Sequence, residues 1–254
     1  MDALDQLIGS FFDWEAIAAV LPQMLTVGLR NTLILAIASG VLGCILGMVL
    51  AIMGTSRSTP LRWLSRIYTD VFRGVPAIVV ILLIGIGLGP VVRELTGSTN
   101  PFPLAIFALT LMASAYIGEI FRSGIQSVEK GQLEASRALG FSYNSSMRLV
   151  VIPQGVRRVL PALVNQFITL IKDSSLIYLL GLLASQREIF RIGNDAAANT
   201  GNLSPLMAAA FMYLILTVPL THLVNYIDNR LRTGRPEKQQ PDDAAALIGK
   251  GAQP

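Results

Sequence analysis

Residues 31–56 read NTLILAIASGVLGCILGMVLAIMGTS, 26 consecutive uncharged residues between Arg30 and Arg57. A helix rises about 1.5 Å per residue and a bilayer's hydrocarbon core is about 30 Å thick, so roughly 20 apolar residues suffice to cross it. Four more stretches meet that test. There are 19 uncharged residues between Arg73 and Arg93, 24 between Glu94 and Glu119, and 32 between Asp195 and Asp228. The 28 residues between Arg158 and Arg187 are interrupted only by Lys172 and Asp173. Pro101 and Pro103 put the third helix's start near Leu104, and the fifth reads as helix from Pro205 onward. Five spanning helices are expected.

Composition agrees. The 254 residues are 52% hydrophobic and 14% charged, against about 25% charged in soluble domains. Composition argues against a solvated enzyme and against a disordered chain. Lone Cys44 rules out a disulfide within the chain, and lone His222 leaves no His pair for a zinc site; HExxH does not occur. The net charge of +4 and pI near 9.5 invite a nucleic-acid reading, which the placement of the charges rejects.

Basic residues stay on the cytosolic side of a membrane. Fourteen of the 20 fall in one set of loops: Arg57, Arg62 and Arg66, then six between Arg122 and Arg158, then five from Arg230 onward. Only Arg93, Arg187 and Arg191 fall in the other set, while Arg30, Arg73 and Lys172 lie in or beside spans. The N-terminus is therefore expected outside and the C-terminus inside. Residues 1–29 hold no Lys or Arg but four acids, the opposite of a cleavable leader. Phe11, Phe12 and Trp14 suit an interfacial segment over 1–25, or an ordinary leading loop. The body that carries the five expected spans is 26–232, and the tail 233–254 lacks apolar periodicity and reads as disordered. Five spans do not divide into equal halves, so a pathway with two-fold pseudosymmetry requires a second subunit.

The longest cytosolic loop, about 122–158, is not shapeless. QLEASRAL (132–139) consists of good helix formers and Gly140 is a fitting stop. Ser142, Asn144 or Ser145 is placed to cap a second short helix ended by Pro153. On periodicity alone, amphipathic helices packed under the bundle are an equally good reading. The run Glu134-Ala135-Ser136, Gly140, Val150-Val151-Ile152-Pro153, however, resembles the EAA loop of ABC importer permeases, with matching spacing and three modest departures (Ser136, Val150, Ile152). Tyr116-Ile117-Gly118-Glu119-Ile120-Phe121-Arg122, Arg73-Gly74-Val75-Pro76 and Lys172-Asp173-Ser174-Ser175-Leu176 resemble the polar amino acid uptake branch over residues 20–232.

That resemblance implies an all-α integral membrane protein of the bacterial cytoplasmic (inner) membrane. Its fold would be five transmembrane helices with a cytosolic coupling helix, the type I ABC importer permease fold. It implies three partners besides the lipid bilayer: an ABC ATP-binding subunit, an extracytoplasmic amino-acid-binding protein, and a second permease copy or paralogue. Gln132, Leu133, Glu134, Ala135, Ser136 and Arg137 would contact the ATPase, with Gly140 setting the turn. ATP and Mg would sit on the partner. No G-x-x-x-x-G-K-[ST] occurs in this chain and no catalytic role or resident cofactor is assigned.

Ionisable groups deep in a bilayer cost about 2.5–3.5 kcal/mol and face protein, water or substrate. Lys172 and Asp173 lie about 18 Å into a helix starting at Leu160, near the midplane. Adjacent residues point about 100° apart, so at least one needs a partner elsewhere; Arg73 and Glu119 are available. Two readings stand. The belt either lines the pathway, with Asp173 meeting a substrate ammonium, Arg73 or Lys172 its carboxylate, and Asn165, Ser174 and Ser175 adding hydrogen bonds, or it holds the helices in register. Gly43 and Gly47, in a G-x-x-x-G run, read as packing. The alternative function is a proton-coupled secondary amino acid transporter using Glu119 and Asp173.

Overall fold

The computed structural model describes residues 9–233, and these are helical with no strand. Helix α1 (Trp14–Gln23) starts at Asp13, whose carboxylate accepts from the backbone N–H groups of Glu15 and Ala16. It runs through a π-helical turn (Met24–Gly28) directly into α2 (Leu29–Thr55). Pro22 lacks a donor and lies at the entry to this wide turn; the Thr26 hydroxyl donates to its carbonyl at 2.7 Å. Residues 1–8 and the tail beyond residue 233 lie outside the described residues.

Where a loop bearing Arg57, Arg62 and Arg66 was expected, the chain forms a further helix, α3 (Thr59–Gly74), with Pro60 in its first turn. Val75-Pro76 breaks it, and α4 (Ala77–Thr96) follows, closed by Gly97 in the left-handed region. Helix α5 (Phe102–Gln126) is the central post, buried along most of its length. Close approach of α2 to α5 requires small residues: a Cβ on Gly47 would stand 2.9 Å from the backbone N of Gly118. The expected packing role of Gly43 and Gly47 is thus met at this interface.

The loop after α5 contains α6 (Lys130–Ala138), α7 (Tyr143–Ser146), a π turn (Met147–Val151) and α8 (Ile152–Arg158). Pro153 does not end a helix here. It occupies the first turn of α8, where a missing N–H costs nothing.

The fourth apolar stretch is not one helix. Helix α9 (Leu160–Asp173) stops at the polar run, and residues Ser174–Leu180 continue as a 3-10 helix that Gly181 ends at φ 70°. The Ser174 hydroxyl donates to the Ile171 carbonyl and the Ser175 hydroxyl to the Lys172 carbonyl, both at 2.7 Å. These local bonds compete with the helical ladder at the point where it tightens. Helix α10 (Ile189–Thr200) and α11 (Ser204–Thr233) complete the chain.

Among the described residues, four helical stretches are long and apolar enough to cross a bilayer: Gly9–Thr55, Ala77–Thr96, Phe102–Gln126 and Ser204–Asp228. The core has two parts. The larger joins α2, α4, α5 and the α9 region around Leu109, Ile117 and Ile171; the smaller joins α1, α10 and α11 around Met24, Ile189 and Met212.

Candidate functional site

Helix α6 lies close to its expected bounds. The Gly140 N–H donates to the Arg137 carbonyl at 3.0 Å and the Phe141 N–H to the Ser136 carbonyl at 3.3 Å. This paired closure needs a left-handed residue, and Gly140 supplies φ 92°. Gln132, Glu134, Ala135 and Arg137 are exposed. Leu133 turns inward against the larger core, and Ser136 is buried with its hydroxyl donating to the Leu133 carbonyl. Leu139 is 80% exposed and Phe141 is exposed beside it. Those two apolar side chains lie outside the expected contact set, although large hydrophobes flanking a glycine stop are a readable signal.

The loop is held rigidly from behind. A Cβ on Gly124 would meet the Gly155 carbonyl oxygen at 2.6 Å, so only glycines permit α8 to lie this close to α5. The Gln154 amide donates to Gln132 Oε1 at 3.2 Å, and the Arg158 guanidinium donates to the Ser127 carbonyl.

Helix α3 has three faces. Ser65 and Thr69 are buried; the Ser65 hydroxyl donates to the Leu50 carbonyl at 2.8 Å, and Tyr68 Oη donates to the Leu111 carbonyl at 3.0 Å. Leu61, Leu64, Ile67 and Val71 form an exposed apolar face. Between them runs a charged stripe of Arg62, Arg66, Asp70 and Arg73. Together with Glu119 and Arg122 this stripe lines a cleft of about 500 Å3.

Glu119 is the hub of the cleft. Arg122 donates to both of its carboxylate oxygens, Nε at 2.9 Å and Nη2 at 2.7 Å, while Arg73 Nη1 lies 3.9 Å away. The Arg73 guanidinium also sits 5.4 Å from the centroid of the Tyr116 ring. The structure therefore brings Arg73 and Glu119 together directly, with Arg122, which the charge pattern alone places in the loop, as the closer partner of Glu119. The i,i+3 spacing of Glu119 and Arg122 is the sequence signal for this pair.

The expected link from Lys172 and Asp173 to Arg73 or Glu119 is not formed among the described residues. Lys172 is exposed at the end of α9, Asp173 is half-buried, and Asn165 is exposed. Ser174 and Ser175 spend their hydroxyls on α9 carbonyls. The seven residues expected to form one belt thus fall into two groups, Arg73 and Glu119 on α3 and α5, and the other five on α9 and the 3-10 segment after it.

The structure adds a buried acid that no sequence pattern singles out. Glu188 caps α10, accepting from the N–H groups of Phe190 and Arg191 at 2.6 Å each and from the Tyr213 hydroxyl at 3.0 Å. Burial pushes its carboxyl up to about 7, against the lowering effect of those donors and of the Arg191 charge.

Comparison with known proteins places this geometry. The chain is 35% identical over 219 residues to the arginine transport system permease protein ArtQ of Bacillus subtilis, covering 85% of this chain and 97% of that protein. It is 33% identical over 224 residues to the glutamate/aspartate import permease protein GltK of Escherichia coli, covering 86% and 98%. Among solved structures, the crystal structure of an amino acid ABC transporter with histidines matches with a TM-score of 0.73 and 30% identity, over 86% of this chain and 98% of that one. An inward-facing MetNI methionine ABC transporter shares the fold at 21% identity and a TM-score of 0.64, over 85% and 98%. Residues 43–233 match the family described as binding-protein-dependent transport system inner membrane component, and this chain belongs to that family.

Proposed function

We propose that this chain is the membrane-spanning permease subunit of an ATP-driven importer of polar amino acids, coupled to its motor through the α6 loop. Family membership and relatives named as amino acid permeases support the transport role. The single observation carrying the coupling assignment is α6 itself: a short helix with Gln132, Glu134, Ala135 and Arg137 turned outward, Leu139 bare beside them, and a rigid glycine-packed base. An exposed apolar anchor with charged neighbours on a preformed helix is what a groove on a partner protein recognises. The partner is an ABC ATP-binding subunit holding ATP and Mg; an extracytoplasmic amino-acid-binding protein delivers substrate, and a second permease copy or paralogue completes the pathway.

The fifth crossing is composite. Helix α9 spans about 21 Å and the following 3-10 segment about 14 Å, together enough for a core of about 30 Å. With that crossing, the described residues make five spans, the α6 loop and C-terminus cytosolic and the N-terminus outside. Irregular backbone at membrane depth is tolerated where it faces protein or a water-filled cavity, which favours a pathway position for Asp173, Ser174 and Ser175. The cleft around Arg73 and Glu119 is read as the cytosolic part of the same route, and the exposed Lys172 and Asn165 as further groups along it. There the guanidinium groups attract a substrate carboxylate while Glu119 limits how tightly it is held.

Reconstitution into proteoliposomes with the ATP-binding subunit tests this. Uptake is expected to require ATP on the ATPase side and to survive a protonophore. Uptake that ran without ATP and collapsed with the proton gradient would overturn it.

A further inference from the structure

The base of α6 is tied not only to α5 but also to the junction between α2 and α3. Arg57, in the turn that joins them, holds its guanidinium carbon 4.7 Å from the centroid of the Tyr143 ring. Both partners are held in place for this. Ser142 caps α7 by accepting from the Ser145 N–H at 3.1 Å, which sets Tyr143 as the helix's first residue. On the other side, Arg62 Nη1 donates to the carbonyls of Ser56 and Arg57 at 2.9 and 3.1 Å, and Nη2 donates to Thr59 Oγ1 at 3.1 Å. The Ser58 N–H adds a bond to Ser56 Oγ at 3.1 Å. The backbone that presents Arg57 is thus fixed by the first turn of α3.

We infer that Arg57 and Tyr143 are positioning residues that pass movement of the α6–α7 loop to α3, and through α3 to the cleft. Packed side chains, ion pairs and rigid helices carry coupling between distant sites, and one such chain can be followed: α6 to α7 through the Gly140 turn, Tyr143 to Arg57, Arg57 to α3, then Arg73 at the far end of α3 to Glu119. The contact between α8 and α5 at Gly124 and Gly155 joins the loop to the helix that also carries Glu119, five residues before Gly124. Moving the loop therefore bears on the Arg73–Glu119–Arg122 cluster from two directions. The interaction suits a joint that must hold while its ends rotate, since a cation over a ring face needs no single hydrogen-bond direction. This inference rests on α6 being the docking element for the ATPase.

The test uses the complete transporter reconstituted with its ATPase, reading substrate carried per ATP hydrolysed. Tyr143→Leu and Arg57→Gln are each expected to lower that ratio about two- to fivefold, the weight of one partly exposed cation–aromatic contact. Tyr143→Phe and Arg57→Lys keep the ring and the charge and should retain most of it. The double variant Tyr143→Leu/Arg57→Gln should be no worse than either single change, because the two residues act as one unit. An unchanged ratio in both singles, additive losses in the double, or a Tyr143→Phe defect equal to Tyr143→Leu would overturn the inference. If Tyr143→Leu fails to assemble, Arg57→Gln against Arg57→Lys decides. Leu139→Asp separates this contact from the docking reading. If it releases the ATPase while Arg57→Gln leaves the ratio unchanged, docking stands and the joint falls; if it leaves the ATPase bound, docking itself falls.

Discussion

Glu188 is fully enclosed at the start of α10, outside the four long apolar helices. Its carboxyl is raised from an ordinary 4.5 to about 7 because burial penalises the ionised form more than three donors favour it. The native chain thus holds a proton there that the unfolded chain has released. The associated stabilisation is fully present below about pH 4.5 and is lost as pH rises through about 7. The thermal midpoint of the detergent-solubilised permease is expected to fall between about pH 5 and pH 7. Glu188→Gln, which retains an oxygen for the Tyr213 hydroxyl and the Phe190 N–H, should flatten that fall; a slope unchanged in the variant would exclude Glu188 as its source. Glu119 poses the opposite case. It is held by Arg122 and Arg73, so Glu119→Gln leaves two guanidinium groups without their counter-charge. Uptake should drop at least several-fold while co-purification with the ATPase is retained, measured by transport and by pull-down on the same preparation. Equal loss of both would assign Glu119 to assembly alone.

At the scale of elements, the loop's rigid base is the most exposed to test. A side chain at Gly124 meets the backbone of Gly155, which has no freedom to withdraw. Gly124→Leu should destabilise the protein by about 1–3 kcal/mol, the usual cost of overpacking, and lower its thermal midpoint. Gly131→Ala, with open space around it, should not. Helix α6 is legible in the sequence because QLEASRAL and Gly140 carry local signals that burial does not override. The long apolar helices are legible because a water-facing fold rarely leaves about 20 consecutive residues without charge, whereas a bilayer demands it. Helix α3 is hidden because Arg62, Arg66, Asp70 and Arg73 make its sequence resemble a basic loop. Leu61, Leu64, Tyr68 and Phe72 at helical spacing are the signal for it. In the fourth stretch, apolar length hides the change from α-helix to 3-10 helix at Ser174. Contact between α3 and α5 at Glu119 depends on tertiary packing, and no local pattern encodes it.

For the whole molecule, the five proposed crossings would put the two ends of the chain on opposite sides and the α6 loop, on the side rich in basic residues, in the cytosol. Cysteines introduced singly into a Cys44→Ala background report this directly. Ser98→Cys, between α4 and α5, should react with a membrane-impermeant maleimide from outside intact cells, and Gly131→Cys only after permeabilisation. The reverse pattern would invert the topology and remove α6 from reach of any cytosolic ATPase. The division of labour between an apolar bundle and one exposed, preorganised loop is then decided by what that loop touches. The most direct measurement is a photo-crosslinking residue at Glu134 in the assembled transporter. A covalent adduct with the ATP-binding subunit, lost when Leu139 is changed to Asp, is the expected result. Adducts only to lipid or to the permease itself, in a preparation that still transports on ATP, would contradict it.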